Sequence, residues 1–150
     1  MKCPACFNPL TQQHLGSVTI DVCDGGCGGL WLDAFELQRV GPEVAGETGS
    51  LPQIRRDAFL RLDLTRKRDC PRCEGVKLKR RFFSPKRRVE IDECPGCGGL
   101  WLDAGELDRI HDELEDSRAD DPAAGRQSQF TMAVIRQIYR IRLAQRGEAI

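Results

Sequence analysis

The sequence has little of the material from which a large hydrophobic core is built. Aromatic residues make up 6% of its 150 residues, whereas charged residues make up 31%. No apolar run approaches the ~20 residues that cross a membrane, and the opening residues lack the apolar stretch of a secretory signal. A cytoplasmic protein is therefore expected. A module of about 40 residues this poor in apolar surface usually needs a metal or disulfides to be stable.

A net charge of one sign is also missing, because 23 basic side chains balance 23 acidic ones. Any attraction to nucleic acid or to an anionic surface must therefore come from a local patch. The groups of common active sites are scarce as well. The two histidines, His14 and His111, lie at no metal-ligand spacing, and no Ser/His/Asp set or phosphate-binding glycine loop is present. These absences predict a protein that is not an enzyme and has no small-molecule substrate.

Cysteine, in contrast, is abundant, and the eight cysteines fall into two sets of four. The first set has the spacing C-x2-C-x16-C-x3-C and the second C-x2-C-x20-C-x2-C. The long gaps leave room for a β-hairpin that returns the chain to a metal, where four thiolates at ~2.3 Å close a tetrahedron. Clustered thiols in a reducing compartment hold metal more often than they form disulfides. The predicted ligands are Cys3, Cys6, Cys23 and Cys27 in one site and Cys70, Cys73, Cys94 and Cys97 in the other.

The ligand types limit which metals and which reactions these two sites can support. Four thiolates suit zinc, and they also suit a rubredoxin-like iron centre. A thioredoxin-like redox pair would stand in a βαβ setting, which two duplicated sets of four do not suggest. Catalytic zinc sites keep a position open for water and mix in His or Glu. The cysteines therefore indicate structural metal sites.

A repeated stretch closes each set, reading CGGLWLDAFEL at 27–37 and CGGLWLDAGEL at 97–107. Its glycines permit positive φ and let backbone N–H groups turn towards the thiolates. The Leu-Trp-Leu segment is expected to be extended, with an indole that covers the small hairpin rather than stacking on a base. Asp followed by Glu three residues later is a capping box that begins a helix. That helix is about three turns long in the second copy and shorter in the first, where Gly41-Pro42 ends it.

Together, the CPxC knuckles and the WLDxGEL ending resemble the bacterial TFIIB-type zinc-finger (zinc-ribbon) family. The resemblance covers roughly residues 3–40 and 70–110. It implies Zn²⁺ on each set of four cysteines, two ions per chain. The first copy departs from the family pattern in the extra residue of CDGGC and in Phe35, which stands where the second copy has Gly105.

The expected fold is a small metal-stabilised α+β protein with two zinc ribbons, each a hairpin plus a capped helix, and a C-terminal amphipathic helix. Residues 41–53 are rich in Gly, Pro and small polar residues and indicate a linker. The C-terminal segment carries two apolar stripes with arginines between them, which predicts packing on its own ribbons and on a partner or second copy. A membrane surface or nucleic acid is the alternative contact. The expected divisions are a first ribbon at 1–41, a linker that can hold a short helix at 42–69, a second ribbon with an acidic helix at 70–117, a loop at 118–128 and a basic amphipathic helix at 129–146.

The stretch from Lys77 to Arg88 carries seven basic residues, no acidic one and two phenylalanines. This composition is typical of a nucleic-acid contact surface. The acidic helix that follows offers the alternative of a self-neutralised or protein-binding surface. We therefore expect two ribbons that scaffold a macromolecule-binding surface, related to nucleic acid or transcription through 77–88, or else to protein interaction or self-association through 129–146. The candidate nucleic-acid contacts are Lys77, Lys79, Arg80, Arg81, Phe82, Phe83, Lys86, Arg87 and Arg88.

Overall fold

The computed structural model describes residues 1–15, 18–34, 54–84, 86–106, 109–110 and 112–113. Within them each ribbon contributes an antiparallel hairpin and a short third strand, so that the two repeats have the same order of elements. The strands are β1 Thr11–Leu15, β2 Val18–Val22, β3 Leu30–Leu32, β4 Lys79–Phe82, β5 Glu90–Glu93 and β6 Leu100–Leu102.

All six strands join in one sheet with the order β1-β2-β3-β6-β5-β4. The two ribbons meet where the Leu-Trp-Leu strands β3 and β6 pair antiparallel, an interface that we call the seam. In its register, Leu30 lies opposite Leu102, Trp31 opposite Trp101 and Leu32 opposite Leu100. This register is symmetric about the tryptophan pair, so each copy of the repeated stretch has the other copy as its partner.

Each indole at the seam packs against a glycine of the opposite ribbon. Trp31 and Trp101 are fully buried. A methyl group on Gly29 would collide with Cζ2 of Trp101, and one on Gly99 would collide with Cζ2 of Trp31. Stacking of these rings on a base is thereby excluded in this fold, as expected. The contact across the seam was not predicted from the sequence.

The second half of the expected linker is folded onto the ribbons. Residues 54–69 run through bends and isolated bridges, without the short helix considered for them. One bridge joins Gly26 to Arg56 in the first ribbon and another joins Asp69 to Lys77 in the second. Leu60 and Leu62 pack against the buried cluster formed by the cysteines and both tryptophans. The ribbons thus bury apolar side chains of this segment and form hydrogen bonds with its backbone.

The predicted helices fall largely outside the described residues, and no helix can be delimited among those described. The helix of the first ribbon, most of the acidic helix and the segment 129–146 therefore stay predictions. In the second ribbon, the amide of Asp103 donates to the carboxylate of Glu106 at 2.7 Å, one of the two contacts of a capping box. No helix in the described part of the chain is long and apolar enough to cross a membrane.

Candidate metal centres

The first four predicted ligands come together in one cluster whose sulfur atoms all lie within 4.8 Å of one another. The Sγ atoms of Cys3 and Cys27 are 3.5 Å apart, and those of Cys6 and Cys23 are 3.4 Å apart. A tetrahedron with metal–sulfur bonds of ~2.3 Å has edges of about 3.8 Å. The sulfurs are too far apart for the ~2.05 Å bond of a disulfide. The arrangement fits a single tetrahedral ion.

The other four predicted ligands form a second cluster with the same 4.8 Å limit. Its Cys70 and Cys97 sulfur atoms are 3.8 Å apart, the edge length expected of a tetrathiolate site. Both clusters consist of cysteine alone and all eight thiols are free. The ligand set is therefore closed in both sites, as the spacing predicted.

Backbone amides of the CPxC knuckles point at the first sulfur of each site. The amides of Ala5 and Cys6 donate to Cys3 Sγ, each at 3.4 Å. In the second site, the corresponding amides, of Arg72 and Cys73, donate to Cys70 Sγ at 3.4 and 3.2 Å. Such bonds disperse the negative charge that four thiolates bring to one ion.

In each cluster, hydrogen bonds lower the pKa of a thiol, Cys27 in the first and Cys94 in the second. A hydrogen bond from the Cys3 thiol lowers the pKa of Cys27 to about 6. The same hydrogen bond, together with burial, raises the pKa of Cys3. Burial opposes ionisation of Cys94, yet the amides of Cys97 and Gly96 lower its pKa to about 7. Metal binding then displaces the protons of the remaining thiols, because only thiolates are ligands.

The glycines after the last ligands have two different tasks. Gly28 and Gly98 have φ angles of 75° and 71°, and their amides donate to the carbonyls of Cys23 and Cys94 at 3.1 and 2.9 Å. The positive φ that closes the knuckle was expected from the sequence, but these two amides donate to carbonyl oxygens and not to the thiolates as predicted. The glycine that follows each of them instead makes room for the opposite indole.

The extra residue of the first knuckle creates a docking place for residues 54–57, which we call the strap. The amide of Gly25 donates to the carbonyl of Arg55, and the amide of Asp57 donates to the carbonyl of Gly26, both at 2.9 Å. Asp24 adds an ion pair with Arg55 at 2.9 Å. CDGGC therefore departs from the CPGC pattern without losing its metal site, and the departure fixes the strap.

Two arginines that flank Cys70 hold aspartates at the seam. Arg68 is 3% exposed and binds Asp92 at 2.9 Å and Asp103 at 2.7 Å. Arg72 reaches across to Asp33 of the first ribbon at 2.7 Å. Neither contact was predicted from the sequence, although the pattern Arg-x-Cys-x-Arg places an unusual density of positive charge beside a metal ligand.

The two aspartates after the seam strands in turn hold the indoles. Trp31 Nε1 donates to Asp33 Oδ1 at 2.9 Å, and Trp101 Nε1 donates to Asp103 Oδ1 at 3.0 Å. A buried indole N–H usually finds such a partner. Asp33 and Asp103 are the first residues of the two predicted capping boxes, and their hydrogen bonds to the indoles were not predicted.

The basic hairpin projects from the second centre, with β4 at the edge of the sheet and all four of its residues exposed. Phe82 is 41% exposed, and the Arg87 guanidinium lies 5.7 Å from the centre of its ring. Phe83 is half-buried. Three of the predicted contact residues are already in ion pairs: Lys77 with Asp69, Arg80 with Asp92 and Arg81 with Glu93.

Comparison with curated proteins and with solved structures gives no match. The family described as "Transcription factor zinc-finger", a TFIIB-type zinc ribbon, matches residues 2–41 and 69–113. These two segments make up more than half of the chain, and each contains one complete cluster of four cysteines. The geometry and the family together support one zinc ion in each cluster, two per chain. The chain therefore belongs to the TFIIB-type zinc-ribbon family, of which it carries two tandem copies.

Proposed function

We propose that this chain is a non-enzymatic zinc protein whose six-stranded sheet presents the β4–β5 hairpin to a nucleic-acid strand. The zinc ions would be held by the eight cysteines and would supply mechanical cross-links between the knuckles. Four thiolates fill a tetrahedral shell and leave no position for water or substrate. His14, an exposed side chain in the first hairpin, bonds to Thr19 and lies in neither cluster. These observations favour a scaffold over a catalyst.

The observation that carries the proposal is an exposed aromatic ring flanked by guanidinium groups on the free edge of the sheet. Arg80 and Phe82 are two residues apart on β4 and thus share one face. Arg87 covers part of the ring from the hairpin tip. Bases stack on such rings, and Arg87 is placed to contact a phosphate or to add cation–π attraction.

Ion pairs within the hairpin limit how much of its charge is available to a ligand. Asp69, Asp92 and Glu93 pair with three of the seven basic side chains. The electrostatic part of binding should therefore be weaker than seven phosphate contacts would give. A single strand would then give a slope of log K against log salt that is shallower than about −5. Stacking on Phe82 is expected to supply the rest of the affinity.

Fluorescence anisotropy with labelled single-stranded DNA and RNA, at several salt concentrations, tests this proposal. Phe82→Ala should weaken binding by about tenfold, because base–aromatic stacking contributes ~1–3 kcal/mol. Phe59→Ala is the matched control, since Phe59 is 91% exposed but lies outside the hairpin. Equal affinities for the wild type and both variants, or no binding at low salt, would overturn the proposal.

The alternative function, protein interaction or self-association through residues 129–146, concerns a segment outside the described residues and stays a prediction. Truncation after Ser117 should then convert a self-associated protein to a monomer in sedimentation experiments. Cytoplasmic localisation is likewise part of the proposal, and fractionation of the source cells checks it.

A further inference from the structure

The two zinc centres differ in how well the chain covers them. In the first centre three of the four cysteines are buried, and only Cys6 is partly exposed. In the second centre two are buried, and both Cys73 and Cys97 are partly exposed. A competing ligand therefore reaches more sulfur in the second centre than in the first.

The strap accounts for much of this difference. It hydrogen-bonds to both glycines of the first knuckle, and the Arg56 side chain lies directly over Gly28, where even a methyl group would collide with its Cγ. In the second knuckle, Pro95 and Gly96 are exposed, whereas Gly26 at the matching place in the first knuckle is buried, and Gly98, which matches Gly28, has only the Cβ of Ala34 near it. The first knuckle is thus clamped by a second stretch of chain, whereas the tip of the second faces solvent.

The more accessible centre is also the one on which the seam depends. The backbone amide of Arg72 donates a hydrogen bond to Cys70 Sγ, and its guanidinium forms an ion pair with Asp33 of the other ribbon. Arg68, two residues before Cys70, holds Asp103. The residue that matches Arg72 in the first knuckle is Ala5, which offers no such contact. Both seam tryptophans are therefore oriented through aspartates that rely on the knuckle of the second centre.

We propose that the second zinc centre is the exchangeable one, and that loss of its ion opens the seam while the first centre keeps its metal. The competing ligand would be a chelating group or another metal-binding protein that takes zinc from accessible thiolates. The β4–β5 hairpin begins and ends at this centre, so its surface would be lost together with the seam. The second centre then acts as a zinc-sensitive switch. This inference does not depend on what the hairpin binds.

The test is a chelator titration of the zinc-loaded full-length chain under reducing conditions, with released zinc measured by a chromogenic indicator. Samples along the titration receive a short pulse of iodoacetamide, in which each free thiolate displaces iodide and forms a thioether, and the labelled cysteines are mapped by mass spectrometry. Tryptophan emission reports the seam. After release of one zinc ion, we expect at least tenfold more labelling in the second set of cysteines and a red shift of the emission.

Three outcomes would overturn the proposal: labelling that begins in the first set, release of both ions in one step, or an emission spectrum unchanged until the second ion leaves.

A variant of the strap tests whether this segment is what protects the first centre. Asp24→Ala combined with Arg55→Ala should speed zinc loss from the first centre by about tenfold, a common effect of removing groups that support a metal ligand. Arg61→Ala is the control, because Arg61 is exposed and makes no ion pair among the described residues. An unchanged rate in the strap variant would contradict the role of the strap.

Discussion

Glycine at positions 29 and 99 is required by a contact across the seam and not by backbone conformation. Gly28 and Gly98, which precede them, are the ones with positive φ. The second glycine of each pair gives space to the indole of the other ribbon. Glycine is thus required for two different reasons at adjacent positions. The two reasons can be distinguished only in the structure, where the ribbons are paired.

Gly99→Ala should destabilise the protein by about 1–3 kcal/mol, because the ring of Trp31 or the strand that carries it must shift to admit a methyl group. Urea unfolding of the zinc-saturated protein measures the loss, and tryptophan emission reports the displaced ring. Gly75→Ala is a useful control, since Gly75 has a φ of 72° with open space around it. That control carries only backbone strain and should leave the emission unchanged. An unaltered spectrum in Gly99→Ala would contradict the packing.

Glu106 should make stability fall as pH rises through the slightly acidic range. Burial raises the pKa of Glu106 from its ordinary value of 4.5 to about 7. Between these two values the folded protein holds a proton that the unfolded chain has lost, so raising the pH favours unfolding. Glu106→Gln keeps an oxygen acceptor for the Asp103 amide and removes the titration. The variant should match the wild type near pH 5 and be more stable near pH 8 when the two are compared by urea unfolding at equal zinc. If the free energies of unfolding of the variant and the wild type differ by the same amount at all pH values, titration of Glu106 does not affect stability.

At the scale of elements, the sequence predicted what depends on short-range chemistry. The ligands, both knuckles and both hairpins follow from cysteine spacing and turn residues, and the structure contains them. The seam does not follow, because a three-residue strand carries no signal for its partner or its register. The strap was hidden for a similar reason. It lies in the part of the chain for which a short helix was considered, and its hydrogen bonds exist only once the CDGGC knuckle has formed.

Arg68 joins elements that are far apart in sequence, and replacing it should be costly. It pairs with Asp92 on β5 and with Asp103 just after β6. Arg68→Met fills a similar volume but leaves buried carboxylates without their main partner, a loss of about 3–5 kcal/mol in comparable cases. Arg61→Met, at an exposed arginine, should cost far less. Asp92 keeps its ion pair with Arg80 in this variant. Adding Asp103→Asn to Arg68→Met should therefore recover part of the stability, because it removes the carboxylate charge that has lost its arginine. If the double variant is no better than Arg68→Met, the unpaired charge of Asp103 is not the cause.

At the scale of the whole molecule, two small ribbons become one sheet with a shared buried cluster. That cluster consists largely of metal ligands and the two indoles, and further buried aliphatic side chains, such as Ile20, Leu32 and Ile91, lie outside it. The strands at the seam bury one ribbon against the other, so each ribbon completes the other's core. The metal ions and the seam together provide what a larger hydrophobic interior provides in an ordinary domain of this length.

Folding should consequently depend on zinc. Binding of a structural zinc ion contributes about 10–16 kcal/mol in finger peptides at neutral pH, which exceeds the net stability of ~5–15 kcal/mol that whole domains usually have. Excess chelator under reducing conditions should therefore abolish the β-sheet signal in circular dichroism, and two equivalents of zinc per chain should restore it. Reductant alone is the control, because a loss of structure without chelator would indicate disulfides instead. Metal analysis of the purified protein should give two zinc ions and no iron. If the circular dichroism spectrum is unchanged after complete removal of the metal, side-chain packing alone is sufficient to stabilise the sheet.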